Sequence, residues 1–172
     1  MLLNLENIPP FYKNYVKQID EPDMLQALRI SGHRMSELVH SIPANKVDHA
    51  YAQGKWTVRG LLCHIIDAER IFCYRALRFA RNDKTPLSGF EENDYAPQAN
   101  ASGRSLQQIA AELTHLRSAT IDLFESFTPE MLNRRGTANG KELSVIALGF
   151  IISGHETHHR KILVERYLTD KA

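Results

Sequence analysis

Asp83-Lys84-Thr85-Pro86-Leu87-Ser88-Gly89-Phe90-Glu91-Glu92-Asn93-Asp94-Tyr95-Ala96-Pro97-Gln98-Ala99-Asn100-Ala101-Ser102-Gly103-Arg104 is the stretch on which the fold turns. Its prolines, glycines, Asn and Asp mark it as a loop, and the sequence on either side has helical periodicity. So long a loop is uncommon in a compact bundle unless it crosses over or carries function. Fully extended it could reach about 70 Å, while each flanking helix would be about 35 Å long. It can therefore return the chain to the end it came from and leave the flanking helices parallel.

Working outward, four amphipathic segments emerge. The first is expected to start near Glu21-Pro22-Asp23 and to close at Pro43, with an inward stripe of Met24, Leu28, Met35, Leu38 and Ile42. The second starts at an N-cap, Thr57, with Trp56 and Leu61 placed as a hydrophobic staple, and frays near Arg81-Asn82-Asp83. Its inward stripe takes in Leu61, His64 or Ile65, Ala68, Phe72, Arg75 or Ala76, and Phe79. The third opens on the capping box Ser105-Leu106-Gln107-Gln108, and Thr128-Pro129-Glu130 starts a short extra turn. Ser144 caps the fourth, which is expected to run to about Leu168. No alternating strand pattern stands out. The expectation is an all-α chain, a four-helix bundle in one domain (1–172), with an N-terminal extension (1–19) and a crossover loop (83–104).

A chain of 172 residues, 43% apolar and 24% charged, suits one soluble globular domain. A net charge of +1 leaves no excess of cations to displace counterions from phosphates, so no nucleic-acid partner is expected. The first residues lack the order of a signal peptide, and the run Val145–Ile152 is far too short to span a bilayer. Cys63 and Cys73 fall on one helix about 15 Å apart, beyond disulfide reach. Free thiols point to a cytoplasmic protein.

The chemistry concentrates in His155-Glu156-Thr157-His158-His159. Residues four apart on a helix lie about 40° apart around the axis and about 6 Å along it. The imidazoles of His155 and His159 can thus converge on one cation, on the face that Leu148, Ile152 and Ile162 turn inward. A third ligand is needed, and His64 is the candidate. It lies about two turns into the second helix, and His159 about two and a half turns before the end of the fourth. Those levels match if the two helices are antiparallel, which goes with the parallel pair that the loop allows. His158 points about 100° away, and His33, His40, His49 and His115 lack partners at useful spacing.

The string also reads H-E-x-x-H, the zinc-peptidase pattern in which Glu156 would activate water. Ile162 and Glu165 stand where a metzincin extension needs Gly and His, and no sheet is expected that could hold a peptide.

Trp56-Thr57, Leu61-Leu62-Cys63-His64-Ile65-Ile66-Asp67-Ala68-Glu69-Arg70 and Gly154-His155-Glu156-Thr157-His158-His159-Arg160 together resemble the DinB/YfiT-like metalloenzyme superfamily. The resemblance runs from about Asp20 to Leu168. It implies an up-down-down-up four-helix bundle, usually a homodimer, holding zinc or nickel by His64, His155 and His159. It also implies a small-molecule substrate: transfer of a low-molecular-weight thiol such as bacillithiol or mycothiol, or metal-dependent isomerisation or hydrolysis. Three histidines leave a coordination position open, as catalytic sites do. Glu156 is the candidate catalytic base or ring orienter, and Asp67 could orient His64. Phe90, Asp94 and Tyr95 could wall the pocket. The alternative is a non-catalytic bundle in which the metal staples the second and fourth helices.

Overall fold

The computed structural model describes residues 8–169. In chain order the helices are α1 (Pro10–Val16), α2 (Met24–Ser41), α3 (Val58–Ala80), α4 (Glu92–Tyr95), α5 (Leu106–Glu125), α6 (Pro129–Asn133) and α7 (Val145–Ile162). The strands β1 (Arg135–Ala138) and β2 (Lys141–Ser144) separate α6 from α7, and a π-helical segment, Leu163–Leu168, continues the last helix.

The four long helices, α2, α3, α5 and α7, begin where side chains satisfy their first amides. Asp23 accepts from the Gln26 amide, Thr57 from Gly60 and Ser144 from Ala147. Ser105 Oγ accepts from Gln108 N at 3.2 Å while the Gln108 side-chain Oε1 accepts from Ser105 N at 2.8 Å, the reciprocal box read in the sequence. Each such cap stabilises by about 1 kcal/mol. Because Asp23 is itself the cap, Pro22 stands outside α2 rather than in its first turn.

End contacts set how the helices lie. Tyr167 Oη donates to Trp56 O (2.9 Å), and Arg134 Nη1 donates to Ala80 O (2.6 Å). The start of α3 therefore meets the end of the last helix, and its end meets the approach to α7. Between α3 and α5 the contacts climb together: Arg59 to Arg104 O, then Glu69 to Arg117, then Cys73 to Thr120.

Three further features depart from the sequence reading. The extension holds α1; residues 1–7 of it lie outside the described residues. The segment after α6 is an antiparallel hairpin, with Arg135 opposite Ser144 and Ala138 opposite Lys141. Its turn, Asn139-Gly140, has φ of 49° and 67°, the left-handed pair that a two-residue hairpin needs. The 83–104 loop is structured too: it carries α4 and 3-10 turns at Ala96–Gln98 and Ala101–Gly103. Leu87 bridges to the hairpin, its N–H donating to Thr137 O and its carbonyl accepting from Asn139 N, both at 2.9 Å.

The apolar core is in two parts. One gathers Leu28, Phe72, Phe79, Phe124, Leu148 and Ile151; the other gathers Met35, Leu62, Ile65, Ile66, Ile109 and Leu163. Both cysteines are free, and among the described residues no helix is long and apolar enough to cross a membrane.

Candidate metal centre

Along α7 the buried polar residues Ser153, His155, Glu156 and Thr157 fall between Ile152 of one apolar cluster and Leu163 of the other. His64 is on α3, and His155 and His159 are on α7 one turn apart. Nε2 of His155 lies 3.1 Å from Nε2 of His64 and 3.1 Å from Nε2 of His159. Ligating atoms of all three lie within 4.8 Å of one another. Two metal–nitrogen bonds of about 2.0–2.1 Å, opened to about 100°, separate their nitrogens by about 3.1 Å. The donor set therefore fits a transition-metal cation. Three neutral imidazoles pointing at one spot have no better common partner, because each nitrogen there offers either one N–H or one lone pair. His159 Nδ1 is buried with no hydrogen-bond partner among the described residues, so the protein does not fix its tautomer.

Burial holds the rings neutral. It pushes His64 down to about 4 and, helped by the nearby His64 and His158, pushes His159 down to about 3. Burial first, then the neighbouring histidines, hold His155 well below the usual histidine range. The neutral ring is the form that ligates.

The cluster lies on the wall of a cavity of about 160 Å³. Tyr15, Trp56, Phe72 and Phe90 line it, with Arg75 and Glu92 as its charged members. The Trp56 ring lies 4.8 Å from that of His64, and Tyr15 meets the His155 ring edge-on at 5.4 Å. Tyr15 reaches His155 because α1 crosses α7 at Gly154, where any Cβ would come within 2.4 Å of the Tyr15 carbonyl oxygen.

Behind this layer, Arg117 on α5 makes a buried ionic knot. Its Nε and Nη2 grip both oxygens of Glu69 at 2.9 and 2.8 Å. Its Nη1 donates to Glu156 Oε2 at 2.8 Å and also to Leu28 O and Ser31 Oγ, both at 2.9 Å. Thr120 Oγ1 donates to Glu69 at 2.7 Å.

The structure thus brings His64, His155 and His159 together. It does not bring Glu156 to them: that carboxylate sits on Arg117, on the other side of α7's buried face. Asp67 makes no hydrogen bond to His64 among the described residues. Burial raises its carboxyl, with Arg70 and Arg104 opposing the shift. His158 stays outside the cluster, beside Gln18 at 3.4 Å and Tyr15. Of the loop residues, Phe90 lines the cavity, while Asp94 and Tyr95 do not; Tyr95 is exposed and packs on Phe90. Glu69 and Arg70 both enter salt bridges, each with α5: Glu69 with Arg117, and Arg70 with Glu112. Sequence reasoning missed Arg117, Tyr15 and Glu92, and it read Trp56 as a helix staple and part of a family motif, not as a wall of the site.

Bundle and histidine layer define a helical protein built around a three-histidine centre that opens on a cavity. Residues 27–163 match the DinB superfamily, and the chain belongs to it. It is 25% identical over 143 residues to the "Putative metal-dependent hydrolase OB0413" of Oceanobacillus iheyensis, covering 81% of each chain. It is equally 25% identical, over 144 residues, to a protein of that description from Geobacillus thermodenitrificans, covering 81% of this chain and 80% of the other. Its fold is similar to YfiT from Bacillus subtilis, a "probable metal-dependent hydrolase with an unusual four-helix bundle topology". That match has a TM-score of 0.73 at 18% identity, over 83% of this chain and 82% of that one. It is also similar in fold to the mycothiol-dependent maleylpyruvate isomerase, with a TM-score of 0.67 at 12% identity, over 99% of this chain and 65% of the other.

Proposed function

We propose that the chain is a metal-dependent hydrolase acting on a small molecule, with His64, His155 and His159 as the ligands of one divalent cation, zinc or nickel. The observation that carries this is the pair of 3.1 Å Nε2 separations on a cavity wall. A cation there, when bound, supplies Lewis-acid chemistry, polarising an electrophile and acidifying water or a thiol. The chain's own residues do the rest. The three rings stay neutral through burial, and Trp56, Phe72 and Tyr15 wall the cavity beside them. Glu156 holds the Arg117 knot behind His155 and acts through position. Glu92, the one carboxylate lining the cavity among the described residues, is assigned the proton-accepting role expected of Glu156.

A second reading is transfer of a low-molecular-weight thiol. It uses the same site, since a thiol held by the cation would be in its nucleophilic form. The name of the mycothiol-dependent neighbour accords with it, although that likeness is one of fold. The metal-staple alternative is disfavoured, because the histidines border a cavity and, among the described residues, no carboxylate joins the cluster. With the resemblance we also propose the up-down-down-up order with crossover at 83–104, a homodimer and a cytoplasmic location; the climbing α3–α5 contacts support the first.

Elemental analysis of purified protein, followed by ester-hydrolysis and thiol-transfer assays before and after chelation, tests this. One divalent cation per chain, lost in His64→Ala, and activity that chelation removes are expected. Activity indifferent to chelation would overturn the proposal.

A further inference from the structure

The chain buries two arginines, and they are treated differently. Arg117, 6% exposed, spends its donors on Glu69, Glu156, Leu28 O and Ser31 Oγ. Arg75 is buried more deeply, 3% exposed, yet forms no ion pair among the described residues. Its one hydrogen bond runs from Nη2 to Ser88 O at 3.2 Å. A guanidinium has five N–H donors, so most of its capacity is idle, and an arginine this buried is rarely left without an acid. None of its nitrogens is sealed off in protein without a partner. The idle N–H groups therefore open onto the cavity that Arg75 lines with the histidines.

Two rings hold the head in place without consuming donors. The guanidinium carbon lies 5.8 Å from the centre of Phe72 and 5.9 Å from that of Phe90. This leaves the planar fork preset for an anion of matching shape, and a carboxylate accepts such a fork through two oxygens. Among the described residues Arg75 is the single arginine or lysine lining the cavity, and Glu92 lines it too, which suits one negative charge better than two.

Spacing sets the rest of the ligand. His64, Ala68, Phe72 and Arg75 share one face of α3, and helix geometry puts Arg75 about 16 Å along the axis from His64. Side chains lean toward the helix N-terminus, so the Arg75 head leans back toward the histidines. An apolar cavity of about 150 Å³ accommodates benzene, and this one, about 160 Å³, is walled by aromatic rings.

We infer that Arg75 is a specificity-determining residue: the site takes a small carboxylate with an apolar or aromatic body, its carboxylate on Arg75 and its reacting end toward His64, His155 and His159. This rests on the cavity being the reaction site proposed above.

The test compares two probes, 3-phenylpropionate and its neutral amide 3-phenylpropanamide. Binding to the full chain is followed by calorimetry and ligand-observed NMR, with metal loaded and with metal chelated. Wild type should prefer the acid roughly tenfold to hundredfold. Arg75→Met should bring the ratio near one, and Arg75→Lys should keep part of it, with metal content unchanged in both. If Arg75→Met does not fold, Arg75→Gln replaces it. Loss of affinity for both probes in equal measure would show that Arg75 merely anchors the loop, and would overturn the inference. So would an acid preference that survives in Arg75→Met or Arg75→Gln, equal binding of both probes to wild type, or no binding of the acid. A chain that takes up no divalent cation yet still prefers the acid through Arg75 would sink the metal proposal and leave this one standing.

Discussion

At Arg117 two buried carboxylates share one guanidinium. Burial raises the Glu156 carboxyl while Arg117 pulls it down, and the two glutamates hold Arg117 firmly charged. Removing the cation leaves like charges facing each other in the core. Arg117→Met should therefore cost about 3–5 kcal/mol in urea denaturation. Glu156→Gln keeps the shape and should cost less, about 1–3 kcal/mol, with metal content intact. If Glu156→Gln instead kept full stability and lost turnover, Glu156 would regain the role of base. The histidines make a separate pH prediction for chelated protein. Folded rings resist protonation while unfolded ones take it up near pH 6.5. Their contribution is therefore complete above about pH 6.5 and is lost as pH falls toward about 4 for His64 and about 3 for His159. His64 alone accounts for on the order of 3 kcal/mol across that window. Urea midpoints that do not change between pH 7 and pH 5 would contradict this. The three histidines were legible because a spacing of four residues forces two rings together and matched levels supply the third. Arg117 carried a quieter sign, a charge at an inward position between Leu113 and Thr120. Nothing local told Glu156 from a catalytic base, since its partner lies 39 residues away on another helix.

Long helices declare themselves through periodicity and caps, and all four appeared where those signals stood. Short elements depend on what they pack against. The α1 helix has seven residues, too few to persist alone in water, and is held by Tyr12 and Val16 in the core. The hairpin did leave a sign in Asn139-Gly140, hidden among other loop residues, while its four-residue strands are too short to show alternation. Both elements pack on the bundle at close approaches that glycine permits. At Gly136 an added Cβ would stand 2.1 Å from the Phe79 ring, and at Gly154 it would strike the Tyr15 carbonyl. Gly154→Ala should therefore lift α1 off α7, costing about 1–3 kcal/mol. Amide exchange across residues 10–16 should quicken, and the Tyr15 cover over His155 should open. Gly140→Ala meets no neighbour, and its positive φ alone should cost about 1 kcal/mol without disturbing α1. Equal exchange at α1 in the two variants would contradict this account of Gly154.

Across the whole molecule, the centre joins stretches of chain that are remote in sequence: His64 stands 91 residues from His155. The segment 83–104 was readable as a long connection from its length and composition, but not its attachment at Leu87 or the wall it supplies through Phe90, since both depend on partners outside it. Because the three rings come from α3 and α7, a cation held there binds the folded chain and not the unfolded one. Linkage then requires stability to rise with occupancy, by about 2.7 kcal/mol when free metal is a hundredfold above its dissociation constant. For a chain of this size each kcal/mol moves the melting temperature by about 2–4 °C, so loading with zinc or nickel should raise it by roughly 5–10 °C. The increment should vanish with chelator and in His64→Ala, whose own apo stability separates loss of the ligand from loss of packing. It should persist in Arg75→Met, which touches the cavity but not the cluster. A melting temperature that ignores metal in wild type, or responds equally in His64→Ala, would mean that the rings meet for packing alone.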